Sequence, residues 1–155
     1  MMYHRSAGSA VLNLDKATRR ASGIADNTIA QARDLTVLGA GYGSKRVRAS
    51  DSVGAGDTAD FFKVTVQPGA SISRLSGNFV VRKAPVNLSA IAEVQGTRFN
   101  IVSNFQAKVG RERNAFTPIN PPLQNSFNEP IFIYIKLSPV RKQESKYSVE
   151  LNLFQ

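Results

Sequence analysis

Three aspartates fall in one short stretch, Asp51-Ser52-Val53-Gly54-Ala55-Gly56-Asp57-Thr58-Ala59-Asp60. Carboxylates on a glycine-bearing turn offer two kinds of chemistry. They can supply hard oxygen ligands to Ca²⁺, or they can accept backbone N–H bonds and tie the turn. Calcium takes roughly six to eight oxygens, and three carboxylates in one loop fall short of that. Asp51, Asp57 and Asp60 are therefore read as turn-forming residues, and no metal is expected.

Other reactive patterns are sparse. Gly39-Ala40-Gly41-Tyr42-Gly43-Ser44 lacks the Gly-Lys-Ser/Thr ending of a phosphate loop and has no βαβ context, so it reads as a flexible turn. His4 is the single histidine. A catalytic histidine needs an orienting partner and a nucleophile beside it, and no such pattern surrounds His4. Cysteine and tryptophan are absent, which excludes thiol nucleophiles, disulfide frameworks, zinc fingers and iron–sulfur centres. Asn87-Leu88-Ser89 is a formal glycosylation sequon that has meaning only in an exported chain. The expectation is a protein without catalysis or cofactor.

Charge is the stronger signal. The 155 residues carry 20 Lys and Arg against 11 Asp and Glu, a net +9 with a pI near 10.3. Residues 1–50 hold eight cations (Arg5, Lys16, Arg19, Arg20, Arg33, Lys45, Arg46, Arg48) and three Asp. Arg111 with Arg113, and Arg141 with Lys142, form further local clusters. Such an excess can be a solvated surface, or it can complement an acidic partner through a steering field. The second reading is preferred. Nucleic acid is disfavoured as a specific partner, since neither a helix-turn-helix nor an RNP aromatic pair is present. An acidic protein assembly fits better, and Asn120-Pro121-Pro122-Leu123-Gln124-Asn125 suits an adaptable contact loop.

The elements that position these residues read as strands. Residues 1–23 are Ser/Ala/Gly-rich and form a basic arm, extended or briefly helical over Leu14 to Ala21, too short to be helical alone. Asp26-Asn27-Thr28 can cap a short helical turn through Arg33, and residues 24–50 are transitional. From residue 51 the pattern is β. Phe62, Val64 and Val66 share a face; Gln67-Pro68-Gly69-Ala70 is a turn; alternation resumes at Ser71–Leu75 and breaks at Gly77-Asn78. Further strands are expected at Phe79–Arg82, Val86–Ala92, Arg98–Val102, Ile131–Leu137 and Tyr147–Phe154. Asn104–Asn128 reads as a long loop. Most of Phe61, Phe62, Phe132 and Tyr134 should be core. Composition at 42% hydrophobic permits a core. Short strands between turns give an all-β, antiparallel, jelly-roll-like β-sandwich with an N-terminal arm. No apolar run approaches the roughly 20 residues of a membrane span. The first residues lack a secretory h-region, so a cytoplasmic location is expected.

Asp51–Phe62 resembles the opening of the bacterial pre-peptidase C-terminal (PPC) domain: an acidic, Gly-containing turn, then Asp57 and Asp60, then the paired Phe61 and Phe62. Ala25–Leu35 is similar to that family's lead-in. Ile131–Leu137 and Ser145–Leu151 are similar to its last two strands. The resemblance covers roughly residues 24–155. It implies a jelly-roll-like sandwich without catalysis, of a kind that accompanies secreted proteases or binds surfaces, polysaccharide or protein, and that is common in cyanobacteria. Some members bind calcium, but here Asn87 and Asn100 stand where carboxylates would help.

The resulting expectation is a structural or linker protein that docks onto a larger, acidic, multi-subunit assembly. By analogy of charge and host this would be a phycobilisome, at the cytoplasmic face of the thylakoid. In the arm, Arg5, Lys16, Arg19 and Arg20 would contact carboxylates while Val11, Leu12 and Leu14 supply an apolar anchor. Lys45, Arg46, Arg48, Arg111 and Arg113 would extend the contact. A polysaccharide or cell-surface module is the alternative, with Tyr42, Phe105, Phe116 or Phe127 exposed. So is a fibre subunit whose arm adds a strand to a neighbour's sheet.

Overall fold

A computed structural model describes residues 26–112 and 118–155. Arm residues 1–23, with Arg5, Val11, Leu12, Leu14, Lys16, Arg19 and Arg20, lie outside the described residues, as do Arg113 and Phe116. A 3₁₀ turn, Ile29–Gln31, leads into ten strands: β1 Arg33–Leu38, β2 Ser44–Val53, β3 Asp60–Val66, β4 Ser71–Arg82, β5 Val86–Val94, β6 Thr97–Ala107, β7 Gly110–Glu112, β8 Pro118–Gln124, β9 Ile131–Pro139 and β10 Ser145–Phe154.

The strands form two sheets that pack as a jelly-roll-like sandwich. One has the order β1-β3-β9-β5-β6; the other has β2-β10-β4-β7, with β8 also on β4. One pair departs from the antiparallel expectation: β1 runs parallel to β3. The chain leaves the first sheet after β1, descends the second sheet as β2, and returns as β3. Two reversals put β3 beside β1 in the same direction.

Period-2 burial explains the core. Phe62, Val64 and Val66 of β3 face inward, as do Tyr147, Val149, Leu151 and Leu153 of β10. They meet Phe79, Val81, Leu88, Ile133, Ile135 and Leu137 in one cluster. Gln67-Pro68-Gly69-Ala70 turns as expected: Ala70 N–H donates to the Gln67 carbonyl at 3.0 Å, and Gly69 takes φ +86°.

Several expectations are corrected. The capped helical turn through Arg33 is only the 3₁₀ turn; Thr28 makes no side-chain cap, and Arg33 already begins β1. β structure begins at β1 and β2, well before residue 51. Gly77-Asn78 does not break β4, since Gly77 is buried and pairs with Leu151. The change of phase lies earlier, where Ile72 and Leu75 both point inward across a register shift against β8. The expected loop Asn104–Asn128 contains the end of β6, all of β7 and β8, and the buried Asn125. Asn120–Gln124 is therefore strand, with prolines tolerated because, among the described residues, β8 pairs with β4 alone. Of the four strand aromatics, Phe62 and Tyr134 are buried, whereas Phe61 and Phe132 are half-buried on the outer face. Lys136 lies 5.8 Å from the centre of the Phe61 ring and Lys63 lies 5.3 Å from that of Phe132. Long lysine stems can cover such rings while keeping their charge in water.

Candidate functional site

The β2–β3 aspartates sit at one end of the sandwich, and each is engaged. Arg33 opens β1 with its side chain only 1% exposed. Its Nε lies 3.1 Å from Asp26 Oδ2 and its Nη2 lies 3.0 Å from Asp51 Oδ2. Its guanidinium also stacks 4.7 Å from the Phe62 ring centre. Asp51 accepts from the Ser52 N–H at 2.9 Å. Asp60 is fully buried and accepts the Tyr147 hydroxyl at 2.5 Å. Burial, reinforced by the Asp60 charge and hydrogen bond, pushes the Tyr147 hydroxyl well above its ordinary pKa. Asn27, with its amide oriented to satisfy both partners, donates to the Ala59 carbonyl at 2.7 Å and to Asp57 Oδ1 at 3.1 Å.

The acidic groups that come together are not the expected three. Asp26, Asp57 and Asp60 bring carboxylate oxygens within 4.8 Å of one another, and Asp51 is turned to Arg33 instead. Such a triad could donate oxygens to a hard cation, but the residues present fit that role poorly. Arg33 already provides positive charge at Asp26, and Tyr147 occupies Asp60 with a proton donor. The arrangement pairs a buried cation with acids drawn from the lead-in and β2, and so ties the lead-in to the sandwich. The Phe61 N–H adds a bond to the Asp26 carbonyl at 3.2 Å. Sequence reasoning placed Asp51, Asp57 and Asp60 in turn roles. It missed Arg33 and Asp26, which read as a surface cation and a helix cap.

The basic residues are sorted by strand parity. On the outer face of the second sheet, Arg46 and Arg48 of β2 stand beside Asn152 and Glu150 of β10. Arg74 and Arg82 of β4 stand beside Phe154 and Lys146. Arg111 of β7 stands beside Val80. These six cations are exposed, and Glu150 is the acid among them on the described strands. Arg48 holds Glu150 at 2.7 Å and Asn78 donates to it at 3.2 Å, and these bonds help lower its pKa against the opposing effect of burial. Ser50, Ser76, Ser148 and Asn152 lie on the same face, with Val80 and Phe154 as apolar members. Lys45 has the opposite parity to Arg46 and Arg48 and does not join them, although it is exposed at the strand's start.

Charge also differs between the two ends. At the end holding the aspartates lie Arg82 and Lys83 before β5, Lys108 and Arg111 around the start of β7, and Arg141, Lys142 and Lys146 before and in β10; all are exposed. Among the described side chains there, Asp57, Glu144 and the exposed Asp34 of β1, which pairs with Lys63 at 3.2 Å, oppose them outside the buried cluster. At the other end, the turns Gly39–Gly43, Gln67–Ala70 and Asn125–Pro130 contain Glu129 as their one charged side chain, while the strand termini there bring Lys45, Arg46, Arg74 and the Arg98–Glu93 pair. Between the 54–58 turn and the 139–142 loop the basic end opens into a cleft of about 600 Å³.

No family model matches the chain, and no curated protein matches its sequence. Solved structures with related architecture include the infectious bursal disease virus VP2 subviral particle, at 16% identity and TM-score 0.41, covering 71% of this chain and 32% of that one. This chain thus spans about a third of the VP2 chain's length. Others are the pre-peptidase C-terminal domain of a Bacillus anthracis collagenase (10% identity, TM-score 0.31, 77% and 93% of the two chains) and PliG of Salmonella Typhimurium, a periplasmic inhibitor of g-type lysozyme (12%, 0.30, 79% and 98%). None of these similarities carries a ligand, partner or activity to this chain.

The remaining site expectations are placed as follows. Tyr42 is half-buried and donates to the Ser71 carbonyl at 2.8 Å, with its pKa pushed up to about 12 by burial. Phe105 is half-buried and stacks on Phe79 with ring centres 5.9 Å apart. Phe127 is exposed, and so is Phe99, which the sequence reading did not single out. No helix among the described residues is long and apolar enough to cross a membrane.

Proposed function

We propose that this protein is a non-enzymatic docking module that binds an acidic partner protein through the basic outer face of its second sheet. The observation that carries the reading is the set Arg46, Arg48, Arg74, Arg82, Arg111 and Lys146 on one sheet face, with Glu150 as its acidic counterweight. Like charges held on one sheet raise the local potential, and the backbone that presents them is ordered before a partner arrives. Arginine also forms bidentate bonds with carboxylates.

The finer reading is a PPC-like domain whose basic arm, residues 1–23, adds contacts to a larger acidic assembly, the phycobilisome-type light-harvesting complex of a cyanobacterium being the example in view. Its support is the charge balance of the sequence and the resemblance of Asp51–Phe62. The test is retention of the full chain on immobilised poly-glutamate across a salt series. Retention should weaken steadily with salt. Arg46→Glu with Arg82→Glu and Lys146→Glu should abolish it at physiological salt, and deletion of residues 1–23 should reduce it. Retention indifferent to salt and to the triple change overturns the reading.

A further inference from the structure

We propose that the cleft at the basic end of the sandwich receives an apolar side chain from an acidic, extended peptide segment of the partner. This inference rests on the acidic-partner reading and assigns it an anchor. The cleft runs between the Gly54–Thr58 turn and the Pro139–Lys142 loop. Its walls include Ala55, Pro139 and Val140, and Val140 is 38% exposed. Arg141 and Lys142 form part of its rim. Both loops are held in place: the Ala55 N–H donates to the Lys142 carbonyl at 2.6 Å, and the Val140 N–H to the Pro85 carbonyl at 3.4 Å. Gly54 packs directly on the Gln143 backbone. The cleft is thus formed before any partner arrives, which lowers the ordering cost of binding.

Charge selects the occupant. Apart from Asp57 in the wall, Glu144 nearby and Asp34, which Lys63 pairs at 3.2 Å, the exposed described charges at this end are positive, and they continue onto the basic face through Arg82, Arg111 and Lys146. An occupant carrying carboxylates on both sides of one apolar residue meets cations at the rim and an apolar wall inside. A nucleic acid would meet the same cations, but no aromatic side chain lines the cleft to stack its bases.

The experiment uses the full chain and three fluorescent probes: a twelve-residue Asp/Glu peptide with one central leucine, the same peptide with alanine there, and a single-stranded oligonucleotide of equal charge. Binding is read by anisotropy at two salt concentrations. The leucine peptide should bind about tenfold more tightly than the alanine peptide, the gain of burying one branched side chain. Val140→Asp should bring that ratio close to one. Arg141→Glu with Lys142→Glu should weaken both peptides. Equal affinity of the two peptides for the unaltered chain, or tighter binding of the oligonucleotide, overturns the inference. If the peptides bind equally but lose binding with Arg46→Glu, Arg82→Glu and Lys146→Glu, the basic-face reading stands without the cleft. If neither peptide shows salt-sensitive binding, both fall.

Discussion

Tyr147 of β10 donates its hydroxyl to Asp60 of β3 at 2.5 Å, so a side chain of one sheet is bonded to a carboxylate of the other inside the sandwich. Tyr147→Phe removes the donor and leaves the buried carboxylate with one bond fewer, at a cost of about 1–3 kcal/mol. The pH dependence follows from the raised Tyr147 pKa. The folded state keeps the proton that the unfolded chain gives up near pH 10. The stabilisation is therefore complete below pH 10 and declines as pH rises from there toward the folded pKa. Denaturant melts between pH 8 and 11 should show a stability that falls above pH 10, with a shallower fall in the phenylalanine variant.

Arg33 separates buried from surface ion pairs. Arg33→Met leaves Asp26 and Asp51 without their cation and should cost about 3–5 kcal/mol. Arg98→Gln breaks the 2.7 Å pair with Glu93, whose arginine side chain is 51% exposed, and should cost less than about 1 kcal/mol. Urea midpoints of the two variants test the ordering.

Gly54 has φ +99°, and a Cβ there would meet the Gln143 carbonyl oxygen inside contact distance and lie 2.8 Å from its carbonyl carbon. Gly54→Ala should lower stability by at least about 1–3 kcal/mol. Gly56, also at positive φ but with open space around it, should cost less on the same change. Thermal melts of the pair distinguish a steric block from backbone strain alone.

Asn125 is fully buried beyond β8. Its amide donates to the carbonyls of Val66 at 2.8 Å and Glu129 at 2.9 Å, and its oxygen accepts the Phe127 N–H at 3.0 Å. Asn125→Ala removes these bonds together and should cost about 1–3 kcal/mol. Amide exchange should quicken locally at Phe127, leaving β10 protected until global unfolding.

Strands with one buried and one polar face were legible. β3 and β10 alternate cleanly, so their inward residues are readable from the sequence alone. β1 and β2 were not legible because their parity is carried by charges. Arg33 is buried and Asp34 exposed, while Arg46 and Arg48 mark an outward face no apolar periodicity announces. Gly77 suggested a break because glycine lacks a side chain to pack, yet a closely paired central strand accommodates it. Asp26 resembled a helix cap in sequence, and only tertiary contact assigns it to Arg33. The prolines of β8 argued for a loop, but an edge strand needs fewer of its N–H groups.

Among the described residues, Arg82, Lys83, Lys108, Arg111, Arg141, Lys142 and Lys146 gather positive potential at one end of the sandwich. In solution such a body does not tumble toward an anionic surface indifferently. An orienting field of this kind favours approaches that lead with the positive end, which shortens the rotational search before any atom touches.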